Sequence, residues 1–196
     1  MSALLFDEAS HTYTLDGVVL PSVTQALQVL PNGYHMVDPD VLERAAEMGR
    51  AVHDLIAREL SGTLDEDETA FELLPYLDMW RHFRGTSGFD PILSEQMVHS
   101  ARYGYAGTLD LFGRLNGRHA LIDAKRTAAV PRSTGPQTAG YDGALREMFP
   151  EFANLKIDRF ALHLTPTRWQ LVPLKDPGDM RVFLSALTIH KWSNAK

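Results

Sequence analysis

Three charged side chains stand in two apolar segments of the sequence where packing does not require them. Asp110 lies in YAGTLDLFGRL, and Asp123 and Lys125 lie in HALIDAK. Both segments have the composition of β-strands, and the Asn116-Gly117 pair between them favours a two-residue hairpin turn. Counting outward from this turn places Asp110 opposite Asp123. Lys125 follows Asp123 by two residues, so both side chains should lie on the same face of their strand.

Two carboxylates at this spacing repel each other unless a cation lies between them. Hard divalent cations such as Mg²⁺ bind carboxylate oxygens together with substrate phosphates. A lysine beside such a site can orient a water molecule or neutralise charge that develops on a phosphate. The alternative is a hairpin whose charges are simply solvated, the ordinary state of a single aspartate. The apolar run ALIDAK favours the metal site, because an unpaired carboxylate in a buried strand is costly.

A long helix should supply a further ligand. Asp38-Pro39 is a typical helix start, and Gly62 is a typical helix end. Between them, apolar residues recur at helical spacing: Val41, Ala45, Met48, Val52, Ile56 and Leu60. His53 lies at the edge of this stripe, one turn after Gly49. Taken alone it would be a packed histidine of the core, and Gly49 would allow a close approach of the helix.

The remaining segments predict an α/β protein. Asp16-Gly17 marks a hairpin, and Ser22 with Gln25 has the spacing of a capping box that begins a helix. Ser22 and Thr24 at this helix start could also hold a phosphate. The run PILSEQMVHS, which contains Glu95, reads as a strand before the hairpin. QTAGYDGALREMF reads as a helix, KIDRFALHL and RWQLVPL as a final strand pair, and Asp179 to Trp192 as the last helix.

Four ordered elements resemble the RecB-like branch of the PD-(D/E)XK nuclease superfamily. They are G-x-x-x-H in MGRAVHDLI, G-x-x-D in GTLD, I-D-x-K in IDAK and Q-x-x-x-Y in QTAGY. LPSVTQAL also resembles the N-terminal part of phage and mitochondrial exonucleases of this group. The resemblance covers Pro21 to Tyr141. It implies a restriction-endonuclease-like core with a central mixed β-sheet flanked by helices.

On this resemblance, residues 1–196 form one nuclease domain. Its N-terminal hairpin and helix span residues 1–35, its catalytic core spans residues 36–175, and its C-terminal helix spans residues 176–196.

The resemblance also implies roles for individual residues. His53, Asp110, Asp123 and the backbone carbonyl of Ala124 would hold one or two Mg²⁺ or Mn²⁺ ions, and Lys125 would be the catalytic lysine. Gln137 and Tyr141, one helical turn apart, would face the site and hold the substrate or the lysine. Glu95 is a lesser candidate ligand, because His53 would take the place that an upstream glutamate has in other nucleases. The expected DNA-contacting residues are Ser22, Thr24, Arg102, Arg126 and Arg132.

Composition restricts the choice of cofactors and partners. The chain has no cysteine, which excludes a disulfide, a thiolate zinc site and the iron–sulfur cluster that some relatives carry. A net charge of −6 does not favour DNA binding, but residues 102–132 contain no acid other than Asp110 and Asp123. No apolar run is long enough to span a membrane, and the first residues lack the pattern of a signal peptide. We therefore expect a cytoplasmic protein, in a bacterial host cell and of phage type.

The expected function is a metal-dependent DNA nuclease. An exonuclease that acts on single- or double-stranded DNA ends in phage-type replication, recombination or degradation is favoured, and a recombination or replication protein is a candidate partner. The alternatives are a structure-specific endonuclease and a non-catalytic DNA-binding module that retains the fold. A metal-buffering protein would not need Lys125 beside the carboxylates. Degenerate members of the superfamily tend to lose the aspartates or the lysine, whereas this chain has all of them.

Overall fold

The computed structural model of the chain describes residues 3–31, 38–127 and 129–195. In this described part of the chain, eight strands form two sheets: β1 (Leu4–Asp7), β2 (Thr12–Leu15), β3 (Val18–Leu20), β4 (Phe89–Ser100), β5 (Tyr105–Leu115), β6 (Arg118–Lys125), β7 (Ile157–Leu164) and β8 (Trp169–Pro173). The α-helices that flank them, among the residues described, are α1 (Val23–Leu27), α2 (Pro39–Ser61), α3 (Leu74–Ser87), α4 (Thr134–Met148) and α5 (Asp179–Asn194). Short 3₁₀ turns precede α3 and follow α4.

The larger sheet is mixed. Its strands lie in the order β4-β5-β6-β7-β8, and every neighbouring pair is antiparallel except β6 and β7. A parallel pair requires a crossover connection, and α4 supplies it. The predicted α/β architecture, a central mixed sheet flanked by helices, is therefore confirmed. Strands β1 to β3 form a separate antiparallel sheet near the N-terminus.

Local sequence signals define several element boundaries. Asn116 and Gly117 have φ angles of 49° and 80°, as the predicted two-residue turn between β5 and β6 requires. Ser22 and Gln25 form the predicted capping box, but α1 contains five residues and ends at Leu27. The side chain of Asp38 caps α2, and Gly62 ends it in the left-handed conformation with a φ angle of 71°.

Two apolar clusters cover the two faces of the larger sheet. One joins the sheet to α2 and α3, and the other joins it to α1, α4 and α5. Alternate residues of β6 divide between them: Ala120, Ile122 and Ala124 belong to the first cluster and Leu121 to the second. By this alternation Asp123 and Lys125 lie on the face that α4 covers.

The apolar stripe of α2 is buried along part of its length. Val52, Leu55 and Ile56 lie in the core, whereas Val41 is 48% exposed and Ala45 is also exposed. The first half of α2 is thus not covered by the described part of the protein, contrary to the prediction from apolar spacing. Apolar periodicity identifies the face of a helix but not how far its packing partner extends.

None of the helices among the described residues has the length and apolar character needed to cross a lipid bilayer.

Candidate metal centre

Three acidic residues stand side by side on neighbouring strands. In the β4–β5 register, Ser94 pairs with Leu111 and Gln96 with Leu109, which places Glu95 opposite Asp110. In the β5–β6 register, the last pair is Leu111 with Ile122, and one further step brings Asp110 opposite Asp123. The two aspartates therefore lie opposite each other, as the sequence predicts.

Glu95 adopts a backbone conformation that is uncommon for a residue other than glycine. Its φ angle is 47°, in the middle of a strand. Irregularities of this kind redirect a side chain out of the regular alternation of a strand. The Glu95 side chain lies near His53, with Oε1 3.5 Å from Nδ1. The strained backbone and the resulting contact single out Glu95 more strongly than its sequence context does.

His53 approaches the same place from α2. Its Nδ1 lies 3.5 Å from Asp110 Oδ1, the same distance that separates it from Glu95 Oε1. Its Nε2 donates a hydrogen bond to the Ala124 carbonyl oxygen at 3.1 Å. Because this bond uses the Nε2 proton, Nδ1 is the ring atom directed at the two carboxylates. One ligand atom from each of His53, Glu95 and Asp110 lies within 4.8 Å of the others.

Asp110 is held in place by the neighbouring strand. It is 8% exposed, and its Oδ2 accepts a hydrogen bond from the Ala124 amide at 2.8 Å. Oδ1 remains directed at His53. One oxygen of this carboxylate therefore anchors the side chain and the other belongs to the cluster.

Asp123 and Lys125 form an ion pair at the end of β6. Their Oδ2 and Nζ atoms are 2.5 Å apart, and the Asp123 side chain is 1% exposed. Asp123 Oδ1 is buried and accepts no hydrogen bond from the described residues. Such an oxygen is costly to bury without a partner. Asp123 lies outside the cluster of His53, Glu95 and Asp110, although the sequence predicts that it shares a metal ion with Asp110.

The charges of these groups depend strongly on one another. The Asp110 carboxylate raises the pKa of His53 well above its ordinary value. Burial pushes the pKa of Asp110 upward, but the His53 ring and the Lys125 ammonium outweigh burial and hold that pKa below its ordinary value. Burial raises the pKa of Asp123 to about 6, with a further contribution from Asp110 and opposition from Lys125. Desolvation also raises the pKa of Glu95. A divalent cation would relieve this crowding of carboxylates.

The donors suit a hard divalent ion. Carboxylate oxygens of Glu95 and Asp110 and an imidazole nitrogen of His53 lie close together, and the Ala124 carbonyl oxygen contacts the other ring nitrogen of His53. Oxygen donors suit Mg²⁺ and Mn²⁺, and an added imidazole is compatible with Mn²⁺. The unpartnered Asp123 Oδ1 is a further oxygen donor beside this set. The residues present thus fit the ion that the sequence predicts.

Tyr141 lies close to both aspartates. Burial, and then the charges of Asp110 and Asp123, raise the pKa of Tyr141 well above its ordinary value, so its hydroxyl stays protonated. Gln137 Nε2 donates to this hydroxyl over a long distance of 3.4 Å. The predicted pair therefore forms, one helical turn apart on α4. A Cβ at Gly107 would lie 2.7 Å from Tyr141 Cε1, so the glycine of G-x-x-D provides room for the tyrosine ring.

The predicted DNA-contacting residues differ in their exposure and in their distance from the cluster. Ser22 is 2% exposed, and its hydroxyl accepts the Gln25 amide proton and lies 3.0 Å from Thr24 Oγ1, so it serves the helix cap. Arg126 Nη1 donates to the Ala45 carbonyl, and its guanidinium lies 5.8 Å from the centre of the Tyr76 ring. Arg102 lies in the turn between β4 and β5 and packs over Tyr103. These contacts engage Ser22 in a helix cap and hold Arg126 against α2 and α3, while Arg102 stands apart from the cluster.

A cavity of about 840 Å³ opens beside His53. We call it the His53 pocket. Among the described residues its lining includes Ala45, Gly49 and His53 of α2, Lys125 at the end of β6, and Arg132 and Ser133 before α4. Arg126 and Arg132 are the predicted DNA-contacting residues that line this pocket. A Cβ at Gly49 would meet no atom within 4 Å. The expected close approach of another element at Gly49 is therefore not found, and the glycine instead leaves open space in the pocket.

His163 is a buried residue beside Lys125 that sequence reasoning missed. Parallel pairing of β6 with β7 puts the two residues side by side, and His163 is 7% exposed. Its Nε2 donates to the Thr127 carbonyl at 2.6 Å and so holds the segment that follows Lys125. No local motif surrounds His163. Its neighbourhood follows from a pairing between strands that are more than 30 residues apart in the sequence.

The chain was also compared with known proteins. No family model matches the sequence, and no curated protein matches it. Among solved structures, a crystal structure of SSO0001 is similar with a TM-score of 0.41 and 12% sequence identity, over 89% of this chain and 76% of that one. A likeness at this level assigns neither a family nor an activity, so the function rests on the geometry of the site.

Proposed function

We propose that this protein is a divalent-metal-dependent DNA nuclease with a restriction-endonuclease-like core. One observation carries the proposal. Ligand atoms of His53, Glu95 and Asp110 lie within 4.8 Å of one another, next to an Asp123–Lys125 pair on the adjacent strand. Of these groups, all except Glu95 lie in the ordered motifs of the PD-(D/E)XK resemblance. Mg²⁺ or Mn²⁺ is the proposed cofactor.

Each group has a proposed role in phosphodiester hydrolysis. His53, Glu95 and Asp110 would hold the ion, with the Ala124 carbonyl and Asp123 as further donors. A bound ion supplies an activated water and neutralises charge on the phosphate. The Lys125 ammonium, held by Asp123 at the pocket, orients the attacking water and stabilises the charge that grows on the phosphate oxygens. The protonated Tyr141 hydroxyl helps to position these groups.

Lys125 distinguishes this proposal from a metal-buffering role. A protein that merely binds a cation has no use for a half-buried ammonium beside its carboxylates, because the two cations repel each other. The Lys125 side chain is 18% exposed and lines the pocket, where it can reach a substrate. Cleavage from DNA ends, rather than within the strand, follows from the resemblance and is part of the proposal.

The decisive test is cleavage of labelled DNA by purified protein with Mg²⁺ or Mn²⁺. We expect the wild-type protein to degrade linear DNA. The Lys125→Ala and Asp110→Asn variants should each cleave it at least about a hundredfold more slowly, because each loses a key electrostatic group. Linear and closed circular substrates distinguish an exonuclease from an endonuclease. Absence of cleavage of either substrate by wild type would reject the nuclease, and full activity of Lys125→Ala would reject the site.

Metal binding is measured separately by titration calorimetry with Mn²⁺. His53→Ala and Glu95→Gln should each weaken binding about tenfold or more, because each removes a ligand. His82→Ala is the control, since His82 is exposed on α3 and contacts Trp169 rather than the cluster. Equal Mn²⁺ affinity in wild type and His53→Ala would show that the ion is not held by this cluster.

A further inference from the structure

The His53 pocket continues into a second cavity. This cavity has a volume of about 580 Å³, and we call it the α5 pocket. The two cavities share the lining residues Pro31, Val130, Pro131, Arg132 and Ser133. Since the shared residues border both volumes, the two cavities adjoin, and we describe them together as one groove. It runs from His53 past the N-terminal end of α4 to the surface between β8 and α5.

The floor of the α5 pocket is apolar. Among the described residues it includes Pro136, Val172, Leu174 and Val182, and Val182 is 42% exposed. An aliphatic side chain exposed in a concave surface gains from contact with an apolar ligand group. The bases of an unpaired nucleic-acid strand offer such faces.

The charged residues of the α5 pocket favour a ligand with an anionic backbone. Arg132 and Lys175 are exposed at its rim. Of its two carboxylates, Asp179 is neutralised by Arg159 at 3.0 Å. Asp176 is exposed and accepts the Gly178 amide proton at 2.7 Å. The apolar floor can contact the base of a nucleotide, and the cationic rim can contact its phosphate.

An intact duplex fits this groove poorly. Its bases are stacked and paired inside the helix, so they cannot cover an aliphatic floor. The reactive groups are also recessed, since Asp110 is 8% and Asp123 1% exposed. A single strand can enter a concave pocket of this size and turn its bases toward the floor.

We propose that the continuous groove binds single-stranded DNA, with the scissile phosphate in the His53 pocket and the flanking nucleotides in the α5 pocket. The proposal rests on the proposed function for the position of the scissile phosphate. It assigns a substrate class, single strands or frayed ends, and a new contact surface on Val172, Leu174, Lys175 and Val182.

Binding is measured by fluorescence anisotropy in Lys125→Ala protein with Ca²⁺, so that cleavage does not interfere. The probes are a labelled single-stranded oligonucleotide, a blunt-ended duplex and an RNA strand of the same sequence. Val182→Glu places a carboxylate in the α5 pocket. The control is Ile189→Glu, which lies on the same helix face two turns further on, is 51% exposed and is outside the α5 pocket lining.

We expect Val182→Glu to weaken binding of the single-stranded oligonucleotide about tenfold through like-charge repulsion, and Ile189→Glu to leave it unchanged. The blunt duplex should bind more weakly than the single strand. Equal affinities of the two glutamate variants, tighter binding of the duplex, or tighter binding of the RNA would overturn the proposal.

The two proposals can fail separately. If wild type cleaves DNA but Val182→Glu and Ile189→Glu behave alike, the groove is wrong and the nuclease stands. If wild type cleaves no DNA yet Val182→Glu selectively weakens binding of the single strand, the groove is correct and the nuclease is wrong.

Discussion

At the scale of single residues, the candidate site depends on a few side chains whose environments differ sharply. One oxygen of Asp110 accepts a hydrogen bond from the Ala124 amide, and the other is directed at His53. Asp123 instead pairs with Lys125. The two aspartates therefore have different surroundings, although the sequence motif treats them as a pair. Glu95 joins the cluster because its backbone has a φ angle of 47°.

Gly49 provides a residue-scale prediction. It lies within α2, lines the His53 pocket and has open space where a Cβ would be. Gly49→Ala should raise the free energy of unfolding by about 0.5–1 kcal/mol, because alanine favours the helix. The same methyl group intrudes on the substrate, so DNA affinity should fall. Urea unfolding and anisotropy measure the two effects.

Gly85→Ala is the matched control for this change. Gly85 is also helical, in α3, and also has open space at its Cβ position, but it does not line the pocket. The Gly85→Ala variant should be more stable than wild type and should bind DNA with unchanged affinity. If both alanine variants bind DNA as wild type does, the space above Gly49 is not used by the substrate.

At the scale of elements, the contact between β5 and α4 positions Tyr141. A Cβ at Gly107 would lie 2.7 Å from Tyr141 Cε1 and 3.3 Å from Val23 Cγ2. Gly107→Ala should therefore destabilise the protein by about 1–3 kcal/mol through overpacking, and displace the tyrosine from the site. Nuclease activity should fall, whereas Mn²⁺ affinity should change little, because the tyrosine is not part of the ligand cluster.

A double-variant cycle tests the cause. In a Tyr141→Ala background the ring is absent, so adding Gly107→Ala should cost much less than it does in wild type. Equal costs in the two backgrounds would show that the methyl group clashes elsewhere, for example with Val23.

The β5–β6 hairpin gives a second element-scale prediction, and here the tertiary structure changes the expectation. From the hairpin alone, a one-residue insertion between Asn116 and Gly117 should move one carboxylate to the other face. In the fold, β6 also pairs with β7 from His119–Ile157 to Lys125–His163, and its alternate residues are buried in two clusters. A three-residue hairpin loop can absorb the extra residue. We therefore expect the insertion variant to retain metal-dependent cleavage.

The measurement compares cleavage rates of the insertion variant and wild type at equal metal concentration. Loss of cleavage in a protein that still unfolds cooperatively would mean that the turn alone sets the register of Asp110 and Asp123.

At the scale of the whole molecule, a buried ion pair joins the sheet to the last helix. Arg159 of β7 lies 3.0 Å from Asp179 of α5 and donates to the Gly135 carbonyl at 2.7 Å. Both side chains are mostly buried, at 13% and 10% exposure. Arg159→Met should lower the free energy of unfolding by about 3–5 kcal/mol, because it leaves a buried carboxylate unpaired.

The Arg118–Asp158 pair is the surface counterpart. Its atoms are 3.3 Å apart, but Arg118 is 68% exposed. Arg118→Met should change the free energy of unfolding by less than about 1 kcal/mol. Urea denaturation measures both variants, and similar effects would show that burial does not govern the strength of the Arg159 pair. Adding Asp179→Leu to Arg159→Met should restore part of the loss, since the unpaired carboxylate is then removed.

Sequence alone determined the local parts of this protein. The Asn116-Gly117 turn predicts that Asp110 faces Asp123, the spacing of two predicts that Lys125 accompanies Asp123, and the caps at Asp38 and Gly62 bound the helix that carries His53. These features depend on backbone dihedrals and residue spacing within short segments, which are properties of the segment itself.

The tertiary structure decided the rest. It set the direction of the Glu95 side chain, the neighbourhood of His163 and Lys125, the structural use of Ser22 and Arg126, and the groove between the metal cluster and α5. Each of these depends on segments that are distant in the sequence and meet because apolar faces must be buried together. No local pattern specifies which distant partner a side chain will meet, so packing determines the final shape of the site.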